Sequence, residues 1–322
     1  MADTPLTRAE FLKILAAGSA GVLFLGGAEE ALAGITGTND ALDQAALDGD
    51  ARAARAAGTV LAVAKGTSAS SNVQRAVAAV GGMRRFVHSG DTVVIKPNIC
   101  AARTPQYAAT TNPQVVATLV RLAKAAGAGR VLVMDNPIDN APTAAYSASG
   151  IAAAVKAAGG SMRFMSSSGY KKYPLGGTLG SFPLYADIVN ADVLINVPIV
   201  KQHGSTGLTL AGKNLMGCTT DRGRMHNVGL SQSIALVNAR VRPDLTVVDA
   251  MRILLRNGPT GGSLADVKVK NTVLACTDWV AADTYATSRV FGIPVSNVPY
   301  IKAAANMHLG TMNLASVVVR NV

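Results

Sequence analysis

The stretch "NVPIVKQHGSTGLTLAGKNLMGCTTDRGRMHN", residues 196–227, gathers Lys201, His203, Lys213, Asn214, Cys218, Arg222, Arg224 and His226 into one glycine-studded segment. Lys and Arg hold carboxylates or phosphates, Lys as a point charge and Arg as a planar fork. His titrates near neutrality and can pass a proton. Lys201 and His203 are two residues apart, so in extended chain they point the same way. "AGKNLMG" adds turns that glycine permits, whose backbone amides can approach a ligand closely. The segment reads as one wall of a cationic cleft. The plainer alternative leaves Lys201 in solvent and His203 on a backbone carbonyl.

Further polar residues follow apolar runs elsewhere. "VVIKPN" carries Lys96 and Asn98, "VLVMDNP" carries Asp135, "TVVDA" carries Asp249, and "RILLRNGPTGG" adds Arg252 and Arg256. In open parallel sheets, ligands sit beyond the carboxyl ends of strands, where these residues are expected to fall. An Asp after a strand also suits a helix N-cap, and Asp278 before "WVAADTYA" is expected to be one. Cys100, Cys218 and Cys276 each lie near one of these motifs. Joined by His203 or His226 they would make a four-ligand set for zinc or an iron–sulfur centre. They show no CxxC pairing, and separate buried thiols are the alternative. GxxxxGK[ST], HExxH, the nucleophile elbow and a GxGxxG after a strand are all absent.

These residues need a scaffold. The chain has 322 residues, 49% of them hydrophobic and 15% charged, enough to bury a large core. Short Val/Ile-rich runs at 59–66, 91–98, 130–137, 191–200, 244–250 and 271–278 alternate with helical patterns at 71–88, 113–126, 231–240, 279–291 and 299–306. A further helix is expected through "SGIAAAVKAAGG", and "ASVVVRNV" closes as a strand. The alternation predicts an α/β fold, a mostly parallel sheet with helices on both faces in Rossmann-like order. Residues 59–322 form the expected α/β domain, with an excursion or hairpin at 166–186.

A formal net charge of +11 favours anionic partners. With aromatics at 4% and no Lys/Arg-rich helix, nucleic acid is a poor match, and a small anionic ligand is the better expectation. Residues 1–33 carry Arg8 and Lys13, an apolar stretch from Ile14 to Gly27 and "ALA" at 31–33, the layout of an export signal or N-terminal anchor. "TRAEFLK" looks like a twin-arginine signal whose second arginine is Ala9. Residues 34–58 read as a linker. The expected location is extracytoplasmic, with membrane contact only through this segment.

The motifs "KPNIC", "TPQYAATTNPQVVATLVRLAKAAGA", "ADVLINVPIVKQH", "LTLAGKNLMG", "DRGRMH", "VRPDLTVVDAMRILLRNGPTGG" and "CTDWVAADTYA" occur in an order that resembles the bacterial and archaeal family catalogued as domain of unknown function three-six-two. The resemblance covers residues 59–322. It implies an α/β fold and, in relatives, a twin-arginine signal and sometimes an associated ferredoxin-type iron–sulfur module. This chain has no CxxCxxC, so that cluster is not carried over. Relatives commonly have an acidic residue near Ala102 and a second His in place of Gln202.

Three functions fit. The first is an enzyme on a small anionic substrate, bound by Lys96, Lys201, Lys213 and Arg224, with His203 or His226 as acid or base. The second is a metal or redox-centre protein built on the cysteines. The third is a non-catalytic binder of an anionic ligand using the same cations.

Overall fold

The computed structural model describes residues 58–139 and 141–322. The expected export segment, and all of the linker but its last residue, lie outside the described residues.

The apolar runs become strands: Val60–Lys65 (β1), Thr92–Pro97 (β2), Arg130–Val133 (β3), Ser161–Met162 (β4), Tyr170–Gly176 (β5), Gly180–Tyr185 (β6), Val193–Val197 (β7), Ile199–His203 (β8), Gly207–Thr209 (β9), Leu245–Leu254 (β10), Val267–Cys276 (β11) and Val318–Asn321 (β12). The main sheet has the order β12-β1-β11-β10-β7-β2-β3-β4. From β4 through β10 every pair is parallel, as is β1 with β12; along this order β11 runs against its neighbours, and off it β9 runs against β8. The fold is therefore α/β with a mostly parallel sheet, as the alternation of elements predicts.

Both faces of this sheet are covered, as its parallel strands require. Ala62, Val93, Ile95, Val133 and Val247 look toward one apolar layer, built with Ala69–Ala79 (α1), Pro113–Ala126 (α2), Pro142–Ala148 (α3) and Ile151–Ala157 (α4). Leu61, Val63, Val94, Leu194 and Leu274 look toward the other. That layer contains Ala186–Val189 (α5), Ala211–Asn214 (α6), Arg222–Asn227 (α7), Leu230–Val241 (α8), Trp279–Tyr285 (α9) and Pro299–Asn306 (α10). Residues 166–186 hold the separate antiparallel pair β5–β6.

Local chemistry sets the ends. Asn112 accepts from Gln114 N at 2.9 Å, Pro113 opens α2, and Gly127 at φ +112° closes it. The pattern expected as one helix over 71–88 stops at Ala79, because Gly81 and Gly82 both take positive φ, and only a single 3-10 turn, Met83–Arg85, follows. The expected helix 279–291 changes at Ala286 into a π-helical turn.

The run expected at 191–200 divides at Pro198. β7 pairs with β2 up to Pro97 and Val197, whereas β8 pairs only with β10 and β9. The sheet forks there, and the polar residues collect in the fork. α6 sits above it, held by Asp283, which accepts from Ala211 N at 2.8 Å and Gly212 N at 2.9 Å.

A side chain on Gly212 would start 2.6 Å from Trp279 Cζ3 and 2.9 Å from Tyr300 Cε2. Gly212→Ala is expected to cost about 1–3 kcal/mol in urea unfolding, because the ring contacts must yield. Gly223→Ala, where nothing lies within 4 Å, should be neutral or slightly stabilising.

Candidate functional site

The end of β2 and the turn after β3 place two opposite charges in the core. Lys96 Nζ lies 2.7 Å from Asp135 Oδ1, and both side chains are buried. The ammonium also reaches Pro97 O at 3.3 Å and Asn214 Oδ1 at 3.5 Å. Asp135 Oδ2 accepts from Ile99 N at 2.6 Å, so both carboxylate oxygens are in use. Gly217 passes over this pair, and a side chain there would run into Lys96 and Asp135.

Beside the ion pair runs a chain of buried amides. Lys201 Nζ donates to Asn98 Oδ1 at 2.9 Å, and Asn98 Nδ2 donates to Asn214 Oδ1 at 2.9 Å. Asn214 Nδ2 donates to Asn196 Oδ1 at 2.8 Å, and Asn196 Nδ2 to Ala211 O at 3.0 Å. Each amide accepts on its oxygen and donates from its nitrogen, which fixes its orientation. Lys201 further donates to Ala109 O at 2.6 Å and Pro259 O at 3.0 Å, with Cys100 Sγ at 3.1 Å. Three oxygens around each ammonium saturate both Lys96 and Lys201.

Lys213 differs. It sits on α6 next to Asn214, half-buried, and its ammonium has no hydrogen-bond or ion-pair partner among the described residues. Burial, then the charges of Lys201 and Arg222, push it down to about 8, against an opposing influence of Cys100 and with Lys96 adding to the lowering. His203, also half-buried, is pushed down to about 3 by burial and then by Lys213, Lys201 and His226. His203 Nδ1 accepts from Ser205 N at 3.1 Å, so the neutral ring carries its proton on Nε2. His226 is exposed and shifts the same way, through partial desolvation first and Lys213 second. The structure thus brings together Lys96, Asn98, Asp135, Lys201, His203, Lys213 and Asn214, with Arg222 and His226 at the margin.

Several expected ligand-binding residues have structural duties. Asp135, Asn98 and Asn214 are fully engaged within the network. Arg222 donates to Asn136 O and Pro137 O, bracing the turn after β3. Arg224 donates to Leu179 O at 2.7 Å and lies over the Phe182 ring, which ties α7 to the β5–β6 hairpin. Arg256 pairs with Asp266 at 3.1 Å. Asp249 accepts from Asn112 N at 2.7 Å and Met251 N at 2.9 Å; it caps the start of α2, and burial pushes it up to about 6. The side-chain hydrogen bonds of Arg224, Arg256 and Asp249 all go to groups outside the amide chain. Asp278 is the N-cap that its position predicts, accepting from Ala281 N at 2.9 Å.

The cysteines do not converge. Cys100 lies against Lys201, Cys218 ends the turn after α6, and Cys276 sits in β11 between Leu61 and Thr246. Among the described residues, no group of three or more His, Cys, Asp or Glu side chains is placed to hold a metal. Burial pushes Cys218 up to about 12 and raises Cys276 as well, so both are protonated thiols here. The residues present do not fit a zinc or iron–sulfur centre.

Gln202 Oε1 accepts from Gly258 N at 2.8 Å, so position 202 faces the 257–262 loop. A cavity of about 340 Å³, lined by residues that include Ser68, Asn112, Met251 and Arg252, lies at the starts of α1 and α2, and Lys213 is not among its lining residues. Asn196 and Asp283 are central, yet neither is among the site residues expected from sequence, where Asp283 reads as a helix residue in a salt bridge or solvent. Each is a lone polar residue inside an apolar run, which is the signal that could have found it. Burial pushes Asp283 up to about 7.

Removing Asp135 would strand the Lys96 charge in the core. Asp135→Ala should cost about 3–5 kcal/mol in denaturant unfolding, and Lys96→Met combined with Asp135→Val should recover much of that loss.

Residues 93–288, more than half of the chain and including the whole amide network, match the family described as "Domain of unknown function (DUF362)". A thylakoid-associated protein of Synechocystis sp. is 25% identical over 239 residues, covering 71% of this chain and 72% of that protein. Among solved structures, the lactate racemase apoprotein of Thermoanaerobacterium thermosaccharolyticum is 12% identical, with a TM-score of 0.38, over 67% of this chain and 54% of that one. A Thermotoga maritima protein is 9% identical, with a TM-score of 0.33, over 74% and 57%. The chain therefore spans little more than half the length of either solved structure. On the extent of the family match, the chain belongs to the DUF362 family.

Proposed function

We propose that the protein is an enzyme that binds a small carboxylated or phosphorylated molecule at the strand-end cluster. A charge imbalance carries this reading. Lys201, Arg222 and Lys96 all act on Lys213, and among the described residues one paired carboxylate, that of Asp135, stands beside them. Bringing cations together out of water is unfavourable unless an anion joins them. Lys213, the member with no acceptor, is where that anion would add most.

His203 supports the same reading in a changed role. With a pKa near 3 it is neutral at physiological pH, so in the ligand-free protein it is a donor through Nε2 and not a base poised near neutrality. An anion beside it would favour its protonated form and draw it back toward the range useful for proton transfer. Export through the N-terminal segment belongs to this proposal, on the strength of its basic, apolar and small-residue layout.

Calorimetric titration with inorganic phosphate and with malonate tests the site. Lys213→Gln should weaken binding about 10- to 100-fold, the worth of a hydrogen bond to a charged group. The pH dependence has a definite sign. Lys213 is charged below its pKa of about 8, so wild-type affinity should fall as pH rises through that value, and Lys213→Gln should lack this step. Arg256→Gln, whose partner is Asp266, should bind like wild type. Equal affinity for wild type and Lys213→Gln would refute the reading.

A further inference from the structure

We infer that Lys213 is a covalent nucleophile, whose side-chain amine forms an imine with a small ketone or aldehyde bearing a carboxylate or phosphate. The inference rests on the anion-site reading above and deepens it by naming a substrate class and a bond.

Three lysines of the site differ in their partners. Lys96 has three oxygen acceptors: Asp135 Oδ1, Pro97 O and Asn214 Oδ1. Lys201 also has three: Asn98 Oδ1, Ala109 O and Pro259 O. An ammonium has three protons, so both are fully coordinated in the charged state and neither has a lone pair to offer. Lys213 has no such acceptor among the described residues, and Cys100, which favours its charged form, is outweighed by burial and the neighbouring cations.

Its surroundings act in the same direction. The nearby charges of Lys201, Arg222 and Lys96 disfavour another cation, and α6 holds the side chain half-buried. A lysine desolvated beside other cations is the arrangement that activates an amine for imine formation. With Lys213 pushed down to about 8, its free-amine fraction at pH 8 is on the order of a hundredfold above that of an ordinary lysine. Nε2–H of neutral His203 can meet the anionic end of the same molecule while Lys213 meets its carbonyl.

The step balances without a cofactor or oxidant. The amine lone pair forms a C–N bond to the carbonyl carbon. Both amine hydrogens leave with the carbonyl oxygen as water, and a solvent proton converts the imine into its cationic form. That cation withdraws electrons from the neighbouring carbon, which suits proton removal or bond cleavage there.

The test is reductive trapping. The full chain is incubated at pH 8 with pyruvate, or in a second arm with dihydroxyacetone phosphate, together with sodium cyanoborohydride, and adducts are mapped by peptide mass spectrometry. The expected result is one saturable adduct at Lys213, formed at least about tenfold faster than at any other lysine. Trapping should slow below pH 8, and inorganic phosphate should compete. The arm that labels faster identifies carboxylate or phosphate as the preferred anion. Lys213→Arg should retain phosphate binding by calorimetry and lose the adduct. If that variant misfolds, the wild-type map alone decides. Adducts spread evenly over surface lysines, with phosphate binding still dependent on Lys213, would overturn the covalent inference and leave the anion site standing. Absence of both phosphate binding and the Lys213 adduct would overturn the two together.

Discussion

The site depends on a one-way relay of buried hydrogen bonds: Lys201 to Asn98, Asn98 to Asn214, Asn214 to Asn196, and Asn196 to the carbonyl of Ala211. It joins β8, the end of β2, α6 and β7, four segments that would otherwise leave polar ends facing one another in an apolar interior. A buried amide without partners is costly, so each asparagine constrains the next, and the series tolerates a single arrangement. The ion pair of Lys96 and Asp135 packs against this relay and shares Asn214 with it. From the far side, Asp283 grips the first two amides of α6. Lys213 is held in place because its neighbour in sequence is part of the relay.

Two kinds of lysine result. Lys96 and Lys201 are structural cations whose charge is fully answered by oxygen atoms. Lys213 inherits their field without their acceptors. The buried pair is costly to make and more costly to break, so scaffold and reactive group stay distinct even though they lie within a few residues of each other.

Much of the architecture could be read from the chain because punctuation and periodicity agreed. Asn112-Pro113 and Gly127 bound α2 where capping chemistry puts them, and Pro299–Asn306 follows its predicted span. The two-residue spacing of Lys201 and His203 predicts a common side, and in the structure the charge of Lys201 acts on His203. Other readings failed for want of partners. No local pattern says that Arg224 will lie on Phe182, that Arg256 will meet Asp266, or that Asp249 will turn to the start of α2. Asn196 lies in a run that reads as purely structural, and Asp283 reads locally as a salt-bridged or solvated helix residue; burial gives both their roles. The three cysteines were grouped by nearness to motifs in sequence, which carries no information about where strands and turns take them.

The fork at Pro198 has a wider consequence. Crevices in doubly wound sheets usually open where strand order reverses. Here an opening is made by divergence: one strand abandons its neighbour partway along, and the gap fills with amides and ammonium groups. Register therefore becomes part of the chemistry. Adding or deleting one residue between Val197 and Lys201 would send Lys201 to the opposite face of β8 and His203 with it, dismantling the site while leaving most of the sheet ladder intact. In this architecture the length of a short strand segment, as much as the identity of its residues, determines which groups meet.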